Sequence, residues 1–412
     1  MSHCFGSADL LLPRFAKNPA AMQKWATIAC DQYTSQPSYW KEVEQIVGDA
    51  PSTLSLVLPE IYLAETKERM AKNQPAIRKI TSEELVCRKG SMILVKRRLK
   101  NGSIRTGFVG KLDLEAYGFE KGSQTLVRAT EETVSARIPP RIAVRESAPV
   151  EVPHVMVFYD DPTNSVINSL PSAENGMPVA YDFDLMQKAG HVTGCFLSPK
   201  EITTVEEKLE ALLSSRDHPM LFAVGDGNHS LATAKTCWEN LKKKLSEEEL
   251  AHHPARYALV ELVNLHDPAI VFEPIYRVLF HVDPADVEKA FAEYLSAHPG
   301  CHGSQSFTLV TQKEEKTLTV PSAPATIPVG TLQPFLDAYL AEHPSASIDY
   351  IHGIEATKEI ANRDSAIGFL FGGMKKEDLF PAVLADGALP RKTFSMGEAD
   401  DKRFYLEARA IR

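Results

Sequence analysis

Met220-Leu-Phe-Ala-Val-Gly-Asp-Gly-Asn-His-Ser-Leu-Ala-Thr-Ala-Lys-Thr-Cys-Trp-Glu-Asn-Leu241 reads as a buried strand, a tight polar turn and an amphipathic helix in succession. Met220 to Val224 is an apolar run of the kind that fills a sheet interior, and Gly225 and Gly227 interrupt it where a positive φ or close backbone approach is needed. Leu231, Ala234, Trp238 and Leu241 then recur at helical spacing, followed by Lys242, Lys243 and Lys244, which suit the negative end of the helix dipole. The helix therefore starts near Asn228 or Ser230, and its free N–H groups point into the turn that carries Asp226 and His229. Such a turn suits a phosphate or carboxylate with an imidazole beside it. Gly-Asp-Gly-Asn with a Ser or Asn cap is equally ordinary turn chemistry, so both readings stand at this point.

Asp226-Gly-Asn-His229, at a strand end and before a helix, resembles the Asp-Gly-His-His-Arg signature of the bacterial family called domain of unknown function 1015. It departs from that signature at Asn228, where the first His is expected, and at Ser230, where the Arg is expected; any phosphate here then needs a cation from elsewhere. The turn also resembles, more locally, the phosphate loop of the ParB and sulfiredoxin-like fold, which includes free-serine kinases. Further stretches carry the family resemblance: Ala29-Cys-Asp-Gln-Tyr-Thr-Ser-Gln-Pro37, Leu126-Val-Arg-Ala-Thr-Glu131 and Leu389-Pro-Arg-Lys-Thr-Phe-Ser-Met-Gly-Glu-Ala-Asp-Asp-Lys-Arg403. The run Glu273-Pro-Ile-Tyr-Arg277 is similar to Pro-x-His-Arg in relatives, with Tyr276 in the His position.

The chain has 412 residues, 44% of them hydrophobic and 24% charged, so two or three ordinary domains are affordable. A formal net charge of -9 argues against a general nucleic-acid or anionic-membrane surface. Six dispersed cysteines with no Cys-x-x-Cys pair indicate neither a zinc ribbon nor a disulfide framework, and the expected compartment is the cytoplasm. No apolar run approaches a membrane span.

Along the chain, Asp31, Gln32 and Ser35 are site candidates from the N-terminal stretch, with Ser35 or Ser38 as a helix cap the other reading. Cys30 reads as a small hydrophobe, since a neighbouring Asp31 would raise its pKa. Asn101-Gly102 between two β-rich arms signals a hairpin, and Lys96, Arg97, Arg98, Lys100 and Arg105 around it read as a solvated edge. In Leu126 to Arg141, Thr130 is expected to cap a helix whose first turn holds Glu131 and Glu132, while Arg128 and Arg137 supply an anion clamp. Asp160 and Asp161 end a strand over Val155 to Tyr159, where a turn or a Mg²⁺ contact fits. Thr203 or Thr204 is expected to cap the next helix. The strand, helix, strand, turn, helix order suggests βαβ, with Asp160, His191 and Asp226 on one rim.

The expected architecture is α/β (α+β): a mixed sheet core with a ParB/sulfiredoxin-like phosphate loop and an additional α+β lobe. Its divisions are 1–150 with the hairpin and the Arg-Ala-Thr-Glu segment, 151–280 with the Asp-Gly-Asn-His loop, and 281–412. No Walker loop, kinase signature, dinucleotide fingerprint or nucleophile elbow is present. Phosphoryl transfer needs charge neutralisation and an aligned oxygen more than covalent help, so the candidate groups suffice for it. The resemblance implies a phosphotransferase moving phosphate between a nucleotide, ATP or ADP, and a small hydroxy or amino acid, serine or phosphoserine, with Mg²⁺. In that reading Asp226 or Glu131 deprotonates the acceptor, and His229 with Gly225, Gly227, Asn228 and Ser230 holds phosphate. Arg128, Thr130, Arg137, Arg277, Arg391 and Lys392 complete the anion contacts. A phosphomonoesterase with Asp160 and Asp226 on Mg²⁺, and a non-catalytic binder of a small anion or nucleotide, are the alternatives. The partners expected are small anions rather than nucleic acid or membrane, and the assembly is left open, a homodimer included.

Overall fold

The computed structural model of the chain describes residues 4–133, 138–171, 176–214 and 220–412. They form two compact units: one from residues up to Ala129, Thr133–Ile270 and Glu398–Arg412, the other from Thr130–Glu132 and Val271–Gly397.

The first unit is built on a mixed sheet. Its strands are β1 (Phe5–Gly6), β2 (Ile93–Arg98), β3 (Ile104–Asp113), β4 (Tyr117–Gly118), β5 (Val127–Arg128), β6 (Met156–Tyr159), β7 (Val179–Asp184), β8 (His191–Phe196), β9 (Phe222–Asp226) and β10 (Tyr257–Asn264). They lie in the order β7-β8-β2-β3-β10-β6-β9-β5-β4, with β1 added to β3. Segments on both sides of residue 150 therefore share one sheet. Alternation along the strands divides the core into two layers: Leu94, Phe108 and Val260 face one side, Ile93, Val95 and Leu259 the other. The first layer is covered by α4 (Pro199–Ser214) through Val205 and Leu209, and by α5 (Asn228–Lys242) through Leu231, Ala234 and Trp238. The second is covered by α1 (Pro19–Trp25) and α2 (Pro37–Val47) through Met22, Trp25, Trp40 and Val43. Burying side chains of this size is worth about 2–3 kcal/mol each, which anchors the helices to the sheet.

The Asn101-Gly102 hairpin forms as read: β2 and β3 pair from Arg98 and Ile104 downward, and Gly102 takes φ 86°. Its cations do not form a solvated edge throughout. Arg97 and Arg105 are buried, donating to the backbone carbonyls of Asp400 and Asp401. Burial, and then the neighbouring Arg105, push Arg97 down to about 9.

β8 and β9, on either side of α4, run the same way in one sheet, as the βαβ expectation has it, but the shared rim is corrected: His191 opens β8 whereas Asp226 ends β9. β6 and β9 are antiparallel neighbours, with Phe222 opposite Tyr159 and Asp226 opposite Met156. Asp160, just past Tyr159, is therefore at the opposite end of the strand pair from Asp226, and the two carboxylates cannot share one ion. The α4 cap also differs. Ser198 and Glu201 exchange cap hydrogen bonds, while Thr203 and Thr204 lie inside the helix and return their hydroxyls to the carbonyls four residues back.

In the second unit, strands β11 (Phe272–Phe280), β12 (Gln305–Val310), β13 (Glu315–Val320), β14 (Ser347–His352), β15 (Ala366–Phe371) and β16 (Phe394–Met396) are all antiparallel, in the order β13-β12-β15-β11-β14 with β16 on β11. Helices α6 (Pro284–Ala297) and α7 (Pro328–Glu342) meet over it, with the Phe291 and Phe335 rings 4.7 Å apart. No described helix is long and apolar enough to cross a membrane.

Candidate functional site

The turn after β9 has the backbone the sequence demanded. Gly227 adopts φ 79°, and a Cβ there would stand 3.1 Å from the Val155 Cα, so glycine answers both a conformational and a packing need. At Gly225 a Cβ would meet the Phe158 ring at 2.5 Å. Asn228, buried, then opens the 15-residue α5, so the positive end of its dipole lies at the turn. The Asp226 Oδ1 accepts the Gly227 N–H at 3.0 Å, and its Oδ2 lies 3.4 Å from the Lys402 ammonium. His229 is half-buried on the first turn of α5, and its carbonyl accepts the Thr233 hydroxyl at 2.7 Å.

Lys402 reaches this place because the C-terminal segment runs back along residues 27–30. The Ala29 N–H donates to the Arg403 carbonyl at 3.0 Å and the Tyr405 N–H to the Thr27 carbonyl at 2.8 Å. The segment is locked by Arg403, 2% exposed, which donates to Glu261 at 2.7 Å, Glu407 at 2.6 Å and the Pro153 carbonyl at 2.6 Å. Burial alone would lower Arg403, yet Glu407 and Glu261 hold it above its ordinary value, so the charge persists.

Asp31 feels the Lys402 charge at longer range than a contact. Burial acts to raise its carboxyl, but the His154 imidazole, the Gln32 amide at 3.0 Å and Lys402 outweigh it and hold the group below its usual range. His154 is 5% exposed and joins three elements. Its Nδ1 is 2.8 Å from the Tyr405 hydroxyl, and its Nε2 is 3.3 Å from Ser230 Oγ and 3.9 Å from Asp31 Oδ2. The Tyr405 oxygen also accepts the Cys30 N–H at 3.1 Å. Burial, reinforced by Cys30 and Asp31, lifts the Tyr405 hydroxyl far above its ordinary value, so it keeps its proton. With that proton given to His154 Nδ1, the Nε2–H faces Ser230 and Asp31. Cys30 is no nucleophile: burial, with Asp31 adding, pushes its thiol up to about 12.

Two linked groups thus meet at the first turn of α5: Asp226 with Lys402, and Asp31 with His154 and Ser230, Lys402 acting on Asp31 at longer range. They supply two carboxylates, a cation, an imidazole and a hydroxyl at the N-terminus of that helix. Lys402 and His154, with the Tyr405 that holds His154, are not among the candidate residues read from the sequence. Lys402 stands inside the C-terminal motif with nothing local to single it out, whereas His154 follows a proline connector and carries no local signal.

Other candidates lie elsewhere. Val127 and Ala129 pack in the layer beneath α5, so alternation places Arg128 on the other face of the sheet. There it is 5% exposed, donates to the Thr125 carbonyl at 3.1 Å and to Gln124 at 3.4 Å, and makes no ion pair among the described residues; burial lowers it. Arg137 lies outside the described residues. Thr130 does not cap a helix: its carbonyl accepts the Leu389 N–H at 2.7 Å and Glu131 bridges Leu389, both within the second unit. In that unit Arg277 is fully buried, donating to Gln333 at 3.0 Å and to the carbonyls of Ile275 and Arg391, and burial lowers it to about 10. Arg391 is ion-paired to Asp337 at 2.6 Å, and Lys392 is exposed in a left-handed conformation. Gln32 accepts the Trp40 indole N–H at 3.2 Å, and Ser35 is exposed.

Asp160 pairs with His266 at 2.6 Å. Asp161 is buried and accepts Thr163 at 3.0 Å, Ser165 at 3.1 Å and the Val166 N–H at 2.9 Å. Burial would raise its carboxyl, but these donors hold it low. Among the described residues no group of three or more His, Cys, Asp and Glu side chains is placed to hold a metal ion.

The family model described as protein of unknown function (DUF1015) matches residues 11–339. The chain belongs to this family. No curated protein matches the sequence. Among solved structures, the chain is similar to a conserved hypothetical protein from Pyrococcus furiosus, at 10% identity over 73% of this chain and 94% of that one, with a TM-score of 0.35. It is similar to a free serine kinase in complex with AMP at 12% identity, over 73% and 90% of the chains, TM-score 0.37. A third is SbnI with a C-terminal truncation from Staphylococcus aureus, at 9% identity over 72% and 85%, TM-score 0.35. Likenesses this remote carry no activity across to this DUF1015 chain.

Proposed function

We propose that this chain is a phosphotransferase that moves a phosphoryl group between a nucleotide, ATP or ADP, and a small hydroxy or amino acid, with serine the first acceptor to try. The observation that carries the reading is Lys402, held 3.4 Å from Asp226 before the N-terminus of α5, with its charge also acting on Asp31. A cation and helix amides neutralise phosphate charge, while a carboxylate at the same place can accept the proton of an acceptor hydroxyl. In this reading Asp226 or Asp31 is the base, and the N-terminal end of α5 with Lys402 and His229 holds phosphate. Mg²⁺ arrives on the nucleotide. The alternative phosphomonoesterase lacks its metal pair, because Asp160 and Asp226 lie at opposite strand ends.

The test is a ³¹P NMR assay of the full chain with Mg²⁺, ATP or ADP, and serine or phosphoserine. Transfer, lost in Asp226→Asn or Lys402→Met variants that unfold at the parent temperature, supports the proposal. Phosphate release to water alone would favour hydrolysis, and thermal stabilisation by ADP without turnover would favour a binding protein. Either result overturns the phosphotransferase reading.

A further inference from the structure

On the side of His154 and Ser230 away from the charged cluster, a cavity of ≈ 170 Å³ opens between α3 (Ile138–Arg145), α5 and the strand-entry residues 150–155 of the first unit. Asp31, Asp226 and Lys402 are not among its walls. Most of the lining residues are apolar, Leu58, Val144, Val155, Leu231, Ala234 and Leu259 among them. The charged side chains that reach it are already paired: Arg141 with Glu60, and Arg145 with Glu151 at 2.6 Å, the latter carboxylate also held by Arg409 at 2.7 Å. An anion entering here would lose its hydration without meeting a cation that lacks a partner, so the cavity disfavours charge. Thr233 has no proton to offer a ligand, since its hydroxyl donates to the His229 carbonyl at 2.7 Å. Ser230 Oγ, 3.3 Å from His154 Nε2, accepts the imidazole N–H and can still donate its own proton and accept one more.

We infer that this cavity is a binding site for a small neutral molecule with an apolar body and one hydroxyl, the hydroxyl lodged against Ser230 Oγ. The size follows from the volume: an apolar cavity of about 150 Å³ accommodates benzene, so this one takes about six to eight non-hydrogen atoms. The mostly apolar wall with few convergent polar groups is the usual make-up of a small-molecule site. Occupancy would also fix the rotamer of Ser230, on the first turn of the helix that carries the phosphate turn. The assignment does not depend on phosphoryl transfer, since neither nucleotide nor Asp226 takes part.

Cyclohexanol and phenol are the probes, with benzoate and glycerol as the charged and the fully polar controls, measured on the full chain by saturation-transfer NMR and thermal shift. Saturable binding of cyclohexanol and phenol, without binding of benzoate or glycerol, is expected. Ala234→Phe fills the cavity from α5, and Val144→Phe fills it from α3, so one remains decisive if the other does not fold; binding should fall at least tenfold in the folded variant. Ser230→Ala removes one partner of the hydroxyl and should weaken cyclohexanol about threefold to tenfold. No saturable binding, equal binding of benzoate, or full affinity retained in a cavity-filled variant overturns the site. Full affinity in Ser230→Ala overturns the placement of the hydroxyl.

Discussion

His154 Nδ1 lies 2.8 Å from the hydroxyl of Tyr405, a residue 251 positions later in the chain. That hydroxyl also accepts the Cys30 N–H, so one oxygen ties together the N-terminal segment, the entry to β6 and the C-terminal segment. Tyr405→Phe keeps the ring and its edge-on packing against His154 but leaves a buried imidazole nitrogen and a backbone N–H unpaired. Such orphans cost about 1–3 kcal/mol, so the urea midpoint of Tyr405→Phe should fall accordingly. A variant as stable as the parent would mean that water replaces the hydroxyl and that the junction is not a structural tie.

The Asp31 carboxyl predicts part of the acid limb of stability. Burial raises its pKa, but His154, Gln32 and Lys402 bring it below the ordinary 3.8 in the folded chain. A depressed folded value gives stabilisation that is present above the unfolded pKa and lost as pH falls through the folded one, here below about pH 4. Melting temperatures from pH 6 to pH 3 should therefore drop less steeply in Asp31→Asn than in the parent. Asp161 and Glu151 are also depressed, so the limb will not vanish. Identical slopes would show that Asp31 gains nothing from its neighbours.

Cys30 offers a chemical check on the same cluster. With its thiol pushed up to about 12 by burial and Asp31, it holds almost no thiolate at pH 8, whereas Cys87 and Cys301 are exposed. Iodoacetamide on the native chain should label Cys87 and Cys301 well before Cys30, read by peptide mass spectrometry. Early labelling of Cys30 would place it in an open, ionising environment that the fold does not provide.

What the sequence made legible was local. The Asn101-Gly102 hairpin and the strand, turn and helix around Gly227 are specified by residues a few positions apart, and both form. Val155 to Tyr159 reads as a strand whichever way its partner runs, so the antiparallel pairing with β9, which separates Asp160 from Asp226, had no local mark. Thr130-Glu-Glu suits a helix start equally well, and pairing of that backbone with Leu389 overrides the propensity. The hairpin arginines read as solvated because the backbone carbonyls of Asp400 and Asp401 that bury them lie some three hundred residues away. For the same reason Asp226 and Asp31 could be picked as candidates while their partners could not be matched to them: Lys402 stood unmarked inside the C-terminal motif, and His154 had no local signal.

Arg403 gives the largest stability effect expected from one substitution. Arg403→Met would strand Glu261 and Glu407, both nearly inaccessible, without their shared cation. Breaking a buried pair on one side costs about 3–5 kcal/mol, so the chain should lose most of its margin and unfold at lower urea. Exchanging all three groups for apolar ones of like volume should recover much of that loss. If Arg403→Met alone is neutral, water must already solvate the two carboxylates.

Gly227 and Gly102 form a natural comparison, because both hold a left-handed backbone, φ 79° and 86°. At Gly102 a Cβ would meet nothing within 4 Å, so Gly102→Ala isolates the conformational cost, about 1–2 kcal/mol. At Gly227 the same Cβ would press on Val155 at 3.1 Å and approach the His154 ring at 3.4 Å. Gly227→Ala should therefore lose more stability than Gly102→Ala, and it alone should change function, since relieving the contact moves the Asp226–Gly227 hydrogen bond and the first amides of α5. Chemical unfolding measures the first difference; the thermal shift produced by ADP and Mg²⁺ measures the second. If the two variants respond to nucleotide alike while differing in stability, the turn is a structural device and the anion binds elsewhere.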